Sequence, residues 1–397
     1  MDLTYTPEEE AFRSELRGWL ASSVPAEWRR PGFWQAMSDD ESFDKRRQWE
    51  HEKALAGFAG IAWPTEFGGR GGTPGMKAIY DEELALAEAP VSVNPVGLSF
   101  LAPTVMLLGS EEQKKEIIGP MLRAEVIWTQ GFSEPGAGSD LAALRTAAAR
   151  EGDELIVNGQ KVWTTYAMWG DRMFTLARTQ PYDAGHKHNG LSMLLLDMHQ
   201  EGVEARPIKQ MSGAREFGEV FLTDARCSVD DVLGGLDNGW ATAMLLLSFE
   251  RGSSAIGQYT AFRRMLDQIV QVARQVVRDG APAAQDPVLR QRLAGTLVDL
   301  ECLKYLSWHI LTQAEQGRDL GFEASMTKMM WSETFQEMWD VFDEVLGPDA
   351  MVRSPAPGMD LSAYQELALW SRSVTIWGGS AQVQRNVVAE RVLGLPR

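Results

Sequence analysis

The chain has 397 residues, which is long for a single hydrophobic core, so its length favours two or three domains. A net charge of −17 argues against binding to nucleic acid or to an anionic membrane surface, because both need clustered Lys and Arg. With 44% hydrophobic residues, the composition is that of a globular protein with a large buried core.

Cysteine and histidine content favours a cytoplasmic protein with no bound metal. Cys227 and Cys302 are too few for a disulfide framework, which fits a reducing compartment. The longest apolar stretches are about half of a bilayer-spanning length, and the first segment, MDLTYTPEEE, is polar, unlike a signal peptide. His186 and His188, in DAGHKHNGL, are typical of a solvated loop and lack metal-ligand spacing.

Residues 1–125 are predicted to form a helical N-terminal domain. In TPEEEAFRSELRGWLAS, Thr6 is an N-cap and Glu9 completes a capping box, and SEEQKKEIIGPML repeats this pattern with Ser110 and Gln113. The segment GMKAIYDEELALAEA also has helical spacing. It is preceded by WPTEFGGRGGTPG, a loop rich in Gly and Pro.

Residues 126–237 are predicted to form a β-domain. Its β-type runs are separated by Asn-Gly, Pro and Gly turns; they are DELIVNGQKVWTT, RMFTLARTQ, LSMLLLDM, EGVEARPIK and FGEVFLTDARCS. Because no helix lies between them, the strands favour an antiparallel barrel or sandwich over a βαβ sheet. Helical periodicity returns in residues 238–397, where DGAPAAQDP is a loop between two helices. The predicted fold class is therefore α+β, in the order α, β, α.

The decapeptide GFSEPGAGSD, residues 131–140, is the most informative segment. Its glycines and Pro135 predict a tight turn whose backbone N–H groups are open to a ligand, such as a phosphate or the carbonyls of a flat heterocycle. A β-turn connector without function has the same composition. The segment is neither a Walker A loop nor a dinucleotide fingerprint on a βαβ unit.

The segment NGQKVWTTYA follows about 30 residues later and places Trp163, Thr164 and Thr165 at the end of a strand. A tryptophan can cover a planar cofactor, and a neighbouring threonine hydroxyl can bond to a ring heteroatom. Packing of Trp163 in the core is the alternative interpretation.

The segment MLLLSFER, residues 244–251, ends an apolar helical run with a carboxylate at Glu250. An ionised Glu in such surroundings is costly unless it is paired, exposed or used. Successive helix positions differ by about 100° in direction, so Glu250 and Arg251 do not face each other. Glu250 lies only in part on the stripe of Leu246, Leu247 and Phe249, so it should lie at the border of the core, either as a surface residue in a salt bridge or as a catalytic group.

Taken together, these segments make the chain resemble the acyl-CoA dehydrogenase family along nearly its whole length. The resemblance rests on AWPTEFGG, GSEEQKKEIIGPML, FSEPGAGSD, WTT, GWATAMLLLSFER and the closing IWGGSAQVQRNVVAERVLGLPR. It implies an N-terminal helical domain, a middle antiparallel β-barrel and a C-terminal four-helix bundle that hold FAD between them. It also implies α,β-dehydrogenation of an acyl-CoA thioester to the trans-2-enoyl-CoA.

By position in the family pattern, eight residues are expected to contact FAD. Gln130, Phe132 and Ser133 fall at the pyrimidine edge of the flavin, Trp163 on the ring system and Thr165 near the reactive ring nitrogen. Ser139 falls where the family contacts cofactor phosphate or the pantetheine arm of the substrate. Ser380 and Gln382 fall near the adenosine part of FAD, and Arg251 is expected to contact the substrate.

The resemblance also identifies a candidate for the catalytic base. Many family members place a Glu at the position occupied here by Gly378, so that carboxylate is missing. A subgroup similar to isovaleryl- and long-chain-acyl-CoA dehydrogenases places its base in a Glu-Arg pair on the first helix of the last domain, where Glu250 falls. The α-proton of a thioester is weakly acidic, and a desolvated carboxylate has a raised pKa that suits its removal. Glu250 is therefore predicted to be the base.

Two departures from the family concern assembly. The usual Arg-x-x-Phe-Gly segment, which reaches a neighbour's FAD, is replaced by VVRDGAPAAQDPVLRQRL, with Pro287 where a Gln is usual; EVLGPDAM replaces a Gly-Gly loop. A homo-dimer or tetramer with altered contacts and a hetero-oligomer with a related chain are both open. EAPVSVNPVGLSFLAPTVM is similar to the subgroup that acts on steroid side chains.

The electron acceptor and the acyl group are less determined by the sequence. The resemblance implies acyl-CoA as substrate and an electron-transfer flavoprotein as acceptor. An acyl-CoA oxidase, or a flavin-sharing subunit active only with a related partner chain, remains as an alternative. Gly378 removes bulk beside Trp377, which favours a branched or bulky acyl group.

Overall fold

The computed structural model describes residues 4–30, 32–249, 255–318, 323–352 and 362–396. The chain packs as two compact units. The helical unit contains Met1–Ser38, Gly72–Ala89 and Arg251–Arg397, and the sheet unit contains Asp39–Gly71 and Pro90–Glu250. The three domain ranges inferred from the sequence stay predictions.

The α-helices in the described residues are, in chain order, α1 (Pro7–Ser23), α2 (Asp39–Leu55), α3 (Pro74–Ala87), α4 (Ala102–Leu108), α5 (Glu111–Leu122), α6 (Gly239–Phe249), α7 (Ala255–Gln275), α8 (Pro287–Glu315), α9 (Glu323–Leu346), α10 (Ser362–Ser371) and α11 (Ala381–Arg391). The strands are β1 (Trp128–Gly131), β2 (Ala147–Glu151), β3 (Glu154–Thr165), β4 (Arg172–Arg178), β5 (Leu191–Asp197), β6 (Val203–Ile208), β7 (Phe217–Ser228), β8 (Val232–Leu233), β9 (Val277–Arg278) and β10 (Ala281–Pro282). No helix in this described part is long and apolar enough to cross a membrane.

The predicted helix starts at Thr6 and Ser110 are confirmed. Each hydroxyl accepts a hydrogen bond from the backbone N–H three residues on, at 3.2 Å from both Glu9 and Gln113. The side chains of Glu9 and Gln113 bond back to the N-cap N–H, at 2.9 and 3.1 Å respectively. Both helix N-termini thus satisfy backbone donors that would otherwise lack an intrahelical partner.

The helical unit has its core between α7, α8, α9 and α10. The helices bury an aromatic and aliphatic set in which Phe262 stacks on Phe335, with ring centroids 4.6 Å apart. Pro287 is the first residue of α8, and the Asp286 carboxylate caps that helix by accepting from the N–H of Val288 at 2.7 Å. Proline is well suited to this position because its missing N–H would be unpaired there in any case.

The sheet unit is built on one eight-stranded sheet. Its strand order is β6-β7-β3-β2-β4-β5-β8, with β1 paired to β4. The strand pairs are antiparallel except that β1 runs parallel to β4 and that β2 meets β4 in parallel at Ala147 and Arg178. The predicted β-runs are confirmed as β3 to β7. Buried side chains from α4, α5 and α6 join those of β1, β4 and β5 in one core.

Asn158 and Gly159, a pair typical of hairpin turns, do not form a turn but lie inside β3. The register of β3 against β7 shifts between Val157 and Gly159, and Asn158 bonds to Asp224 on β7 through both its amide oxygen and its amide nitrogen. A Cβ at position 159 would lie 2.3 Å from Thr146 Oγ1. The glycine is therefore required by close backbone approach within the sheet, which sequence spacing does not distinguish from a hairpin turn.

Candidate functional site

The candidate site begins where β1 ends at Gly131 and the chain enters the loop of residues 131–140. Gly131 is buried, and a Cβ there would lie 2.5 Å from Met173 Sδ and 2.8 Å from Thr175 Oγ1. Phe132 is buried too and meets Phe174 edge-on, with ring centroids 5.8 Å apart. The start of the loop is thus fixed by packing against β4.

The turn itself is closed by paired backbone hydrogen bonds between Glu134 and Ala137, at 2.9 and 3.0 Å. By contrast, Gly136 and Gly138 are exposed, and a Cβ at either would meet no atom within 4 Å. These two glycines are not required by packing within the described chain. Their open backbone is what a ligand-binding loop needs, because it lets another molecule approach the main chain closely.

A buried ion pair between Glu134 and Lys161 lies beneath the turn. The ammonium Nζ is 2.8 Å from the Glu134 carboxylate and also donates to the carbonyls of Phe132, at 3.3 Å, and Leu176, at 2.8 Å. Lys161 has no exposed surface and Glu134 is 8% exposed. The carboxylate further accepts from the backbone N–H groups of Arg145, at 2.6 Å, and Thr146, at 2.9 Å. The turn is therefore anchored on β3 and on the two residues that precede β2.

Burial shifts the pKa values of the two residues in opposite directions, and the hydrogen bonds and the partner's charge oppose both shifts. Burial alone would raise the pKa of Glu134, but the Lys161 ammonium and the hydrogen bonds from Lys161, Thr146 and Arg145 outweigh it and hold that pKa below its ordinary value. Burial lowers the pKa of Lys161 to about 8, against the opposing effect of Glu134. The carboxylate therefore stays ionised, with its charge satisfied inside the unit.

Trp163 is held out of the core by a β-bulge. In the register of β3 against β7, Lys161 pairs with Val220 and Thr164 with Gly218, so two residues of β3 stand against one of β7. Trp163 occupies the bulge with φ of 61° and is 57% exposed. A left-handed conformation is rare and strained for a bulky residue, and strained residues cluster at functional sites. The structure excludes the alternative that Trp163 packs in the core.

The structure brings the two predicted segments together. The N–H of Val162, next to Trp163, donates to the carbonyl of Ser133 at 2.9 Å. Thr129 Oγ1, next to Gln130, donates to the carbonyl of Thr165 at 2.6 Å. Thr164 between them is buried, and its hydroxyl has no hydrogen-bond partner within the described residues. Loop 131–140 and the end of β3 therefore form one surface of the sheet unit.

Ser139 lies at the exposed end of the same loop. Its neighbour Asp140 accepts a hydrogen bond from Lys187 Nζ at 2.7 Å, which ties the loop to the connection between β4 and β5. The buried Arg178 guanidinium also donates to that connection, at the carbonyl of Lys187, at 2.9 Å. On the other side it donates to the carbonyl of Ala142, just after the loop, at 2.6 Å. Ser139 is thus exposed on a backbone fixed at both sides.

Ser380 and Gln382 lie at the start of α11 in the helical unit. The Ser380 hydroxyl accepts from the N–H of Val383 at 3.3 Å and caps the helix, which leaves its O–H proton for donation, and Gln382 is exposed in the first turn. The preceding Gly378 and Gly379 both have positive φ, of 65° and 84°. A Cβ at Gly379 would lie 2.4 Å from the Gln384 amide nitrogen.

The two remaining predicted site residues, Glu250 and Arg251, lie outside the described residues. The described part of α6 ends at Phe249. The positions of both side chains therefore stay predictions.

Sequence reasoning missed the importance of Lys161. A signal was present, because alternation along β3 places position 161 on the same side as the buried Leu155 and Val157. A lysine at an inward-facing strand position requires a buried anion, and Glu134 in the neighbouring glycine-rich segment was the candidate.

Family models for acyl-CoA dehydrogenases match the chain in three parts. The N-terminal domain model matches residues 6–125, the middle domain model residues 129–225 and the C-terminal domain model residues 237–393. The chain belongs to the acyl-CoA dehydrogenase family, and its relatives there support an oxidoreductase of a flavoprotein family.

Individual relatives agree along the full length. The acyl-CoA dehydrogenase IpdE1 of Mycobacterium tuberculosis is 38% identical over 389 residues, covering 98% of both chains. Among solved structures, the ChsE4-ChsE5 complex from Mycobacterium tuberculosis has a TM-score of 0.85 at 30% identity, covering 100% of both chains. The structure named Tcur3481-Tcur3483 steroid ACAD has a TM-score of 0.85 at 29% identity and the same coverage. The predicted α, β, α fold class is confirmed.

Proposed function

We propose that this protein is an FAD-dependent acyl-CoA dehydrogenase that converts an acyl-CoA thioester to its trans-2-enoyl-CoA. The observation that carries the proposal is Trp163, an exposed tryptophan with φ of 61° beside an open glycine turn, in a chain of this family. Strain at an exposed aromatic has no benefit for the fold by itself and is typical of a binding surface.

The residues on this surface fit a flavin. Trp163 offers an uncovered aromatic face, and Gly136 and Gly138 leave the backbone of the turn accessible. Gln130, Phe132 and Ser133 would contact the pyrimidine edge, with Thr165 near the reactive nitrogen and Ser139 at a phosphate. The family resemblance alone, and not this surface, is the basis for proposing Ser380 and Gln382 of the helical unit near the adenosine. When bound, FAD would supply the two-electron oxidant that accepts the hydride leaving Cβ.

Glu250 is proposed as the base that removes the α-proton. In the sequence it follows the apolar run that ends at Phe249, and Gly378 provides no alternative carboxylate at the other family position. An apolar setting raises the pKa of a carboxylate, which makes it a stronger base toward a weak carbon acid. Arg251 and Ser139 are proposed to contact the CoA ester.

The acyl group is proposed to be bulky. The residue at position 378 has no side chain, and the solved relative of 29% identity is named a steroid ACAD. Two solved relatives are named as pairs of chains, which supports a hetero-oligomer with a related subunit over a homo-oligomer. An electron-transfer flavoprotein as acceptor and a cytoplasmic location belong to the same proposal. The three domains are proposed at 1–125, 126–237 and 238–397.

Flavin content and substrate bleaching test this function. The purified chain, alone and co-expressed with a related subunit, is mixed without oxygen with octanoyl-, isobutyryl- and steroid-type CoA esters. Loss of the flavin's visible absorbance with a steroid-type ester supports the proposal, and enoyl-CoA formation identifies the product. Peroxide release in air would instead identify an acyl-CoA oxidase. Bleaching only in the mixed assembly would identify a flavin-sharing subunit, and no flavin under any condition would overturn the proposal.

A further inference from the structure

Lys161 does more than pair with a carboxylate, because its ammonium also donates to two backbone carbonyls. One ammonium group bonds to one carboxylate, Glu134, and to two backbone carbonyls, and its side chain has no exposed surface. One of those carbonyls belongs to Phe132, so the ammonium acts on the peptide unit that joins Phe132 to Ser133. The same peptide unit is followed by the Ser133 carbonyl, which accepts from Val162. The backbone at 132–133 is therefore fixed from both sides of Ser133.

The cation also changes the chemistry of that peptide. A charged donor on a carbonyl oxygen draws electron density toward the oxygen, and the N–H of the same peptide unit becomes a stronger donor. The effect is large only where water does not screen the charge, which holds for a side chain without exposed surface. The N–H strengthened in this way is that of Ser133.

Glu134 favours the protonated form of Lys161, but its carboxylate does not replace the Phe132 carbonyl as a partner of the ammonium. Its carboxylate is directed to the backbone N–H groups of Arg145 and Thr146 and to the Thr146 hydroxyl, at 2.5 Å. The ammonium is therefore the charged group that bonds to the Phe132 carbonyl, while the negative charge is spread over donors of Arg145 and Thr146, the two residues just before β2.

We propose that Lys161 is a positioning residue that orients the Phe132–Ser133 peptide and strengthens the Ser133 N–H as a donor to the pyrimidine edge of the flavin. A stronger donor there favours the reduced flavin, which carries more negative charge in that ring, over the oxidised one. The inference rests on the proposed function for the presence of FAD. It adds that a charge with no direct contact to the cofactor sets its reduction potential.

The test replaces both charges at once, because removal of one alone would leave the other buried and unpaired. The double variant Glu134→Gln/Lys161→Met keeps the approximate volumes and the carbonyl acceptor for Thr146, so it is expected to fold. Lys187→Met is the matched control, since it removes a lysine from the same loop's exposed contact with Asp140. Lys161→Arg keeps the charge with altered geometry.

Two measurements follow for each protein. Hydrogen exchange of the flavin-free protein reports the positioning, and the double variant should exchange faster over residues 131–137 than the wild type or Lys187→Met. The midpoint potential of the bound flavin reports the electrostatic effect. The double variant should lose about tenfold in preference for reduced over oxidised flavin, which is a fall of about 30 mV for a two-electron couple. In Lys161→Arg, which keeps the positive charge, the midpoint potential should fall by less than in the double variant.

The outcomes separate this inference from the proposed function. Wild-type protein that binds FAD and bleaches with substrate, together with an unchanged potential in the folded double variant, overturns the inference alone. Unchanged exchange over residues 131–137 also overturns it. Wild-type protein without flavin overturns the proposed function, whereas the exchange measurement still decides whether Lys161 orients the loop.

Discussion

Trp163 meets Phe217 edge-on across β3 and β7, with ring centroids 6.2 Å apart and interplanar angle 81°. Phe217 is the first residue of β7 and pairs with Thr165. The contact supports one edge of the indole while more than half of the side chain stays exposed. A rigid, partly supported and strained tryptophan is suited to hold a planar ligand without rearrangement.

Replacement of Trp163 by Ala is expected to separate binding from folding. Because the side chain is exposed, the free energy of unfolding of the flavin-free protein should change by less than about 0.5 kcal/mol. FAD affinity should fall about tenfold, which corresponds to about 1.4 kcal/mol. Urea denaturation and flavin titration measure the two effects. Trp128→Ala, at a side chain only 2% exposed, is the control and should cost about 3–5 kcal/mol. A large stability loss in Trp163→Ala would contradict the assignment.

An added methyl group should lower the free energy of unfolding at Gly131 but leave it unchanged at Gly136. Gly131→Ala places a Cβ 2.5 Å from Met173 Sδ inside the packed sheet, so a loss of about 1–3 kcal/mol is expected from overpacking. Gly136→Ala meets no atom within 4 Å and should leave the unfolding midpoint unchanged while it weakens flavin or acyl-CoA binding. Equal midpoints for the two variants would show that the loop is not packed as described.

Glu134 should contribute to stability in a pH-dependent way. Its pKa lies below its ordinary value of 4.5, because the Lys161 ammonium and several hydrogen bonds outweigh the effect of burial. A carboxylate with a depressed folded pKa stabilises the protein above the unfolded pKa, and this contribution is lost as pH falls through the folded value. The stability difference between wild type and Glu134→Gln/Lys161→Met, which leaves no unpaired buried charge, should therefore be fullest near neutral pH and shrink below about pH 4.5. Urea midpoints from pH 7 to pH 3 measure it, and a difference independent of pH would contradict this reasoning.

The order of elements was predictable because each depends on local signals. The capping boxes at Thr6 and Ser110 and the β-type runs of the middle segment correspond to elements of the structure. The bulge was not predictable. Uninterrupted alternation from Lys161 would have buried position 163, but the register shift against β7 buries Thr164 and exposes Trp163. Such a shift depends on the partner strand, and the sequence around the bulging residue carries no signal for it.

The pairing of Glu134 with Lys161 shows the same limit. Both residues lie in segments that the sequence marked as functional, yet their contact spans 27 positions and depends on β1 and β3 lying together. Family resemblance predicts the roles of Ser133 and Thr165, and the structure adds the hydrogen bonds that bring their segments together. Nothing local to either segment specifies those bonds.

Anaerobic single-turnover bleaching tests the proposed role of Glu250 as the base most directly. Glu250→Gln should bind FAD and acyl-CoA as the wild type does, and the rate of flavin bleaching should fall by about 10³-fold, because proton abstraction from the α-carbon is lost. Glu250→Asp, with the carboxylate drawn back by one methylene, should retain a fraction of the rate. If a fully flavinated Glu250→Gln protein bleached at the wild-type rate, a group other than Glu250 would be the one that removes the proton.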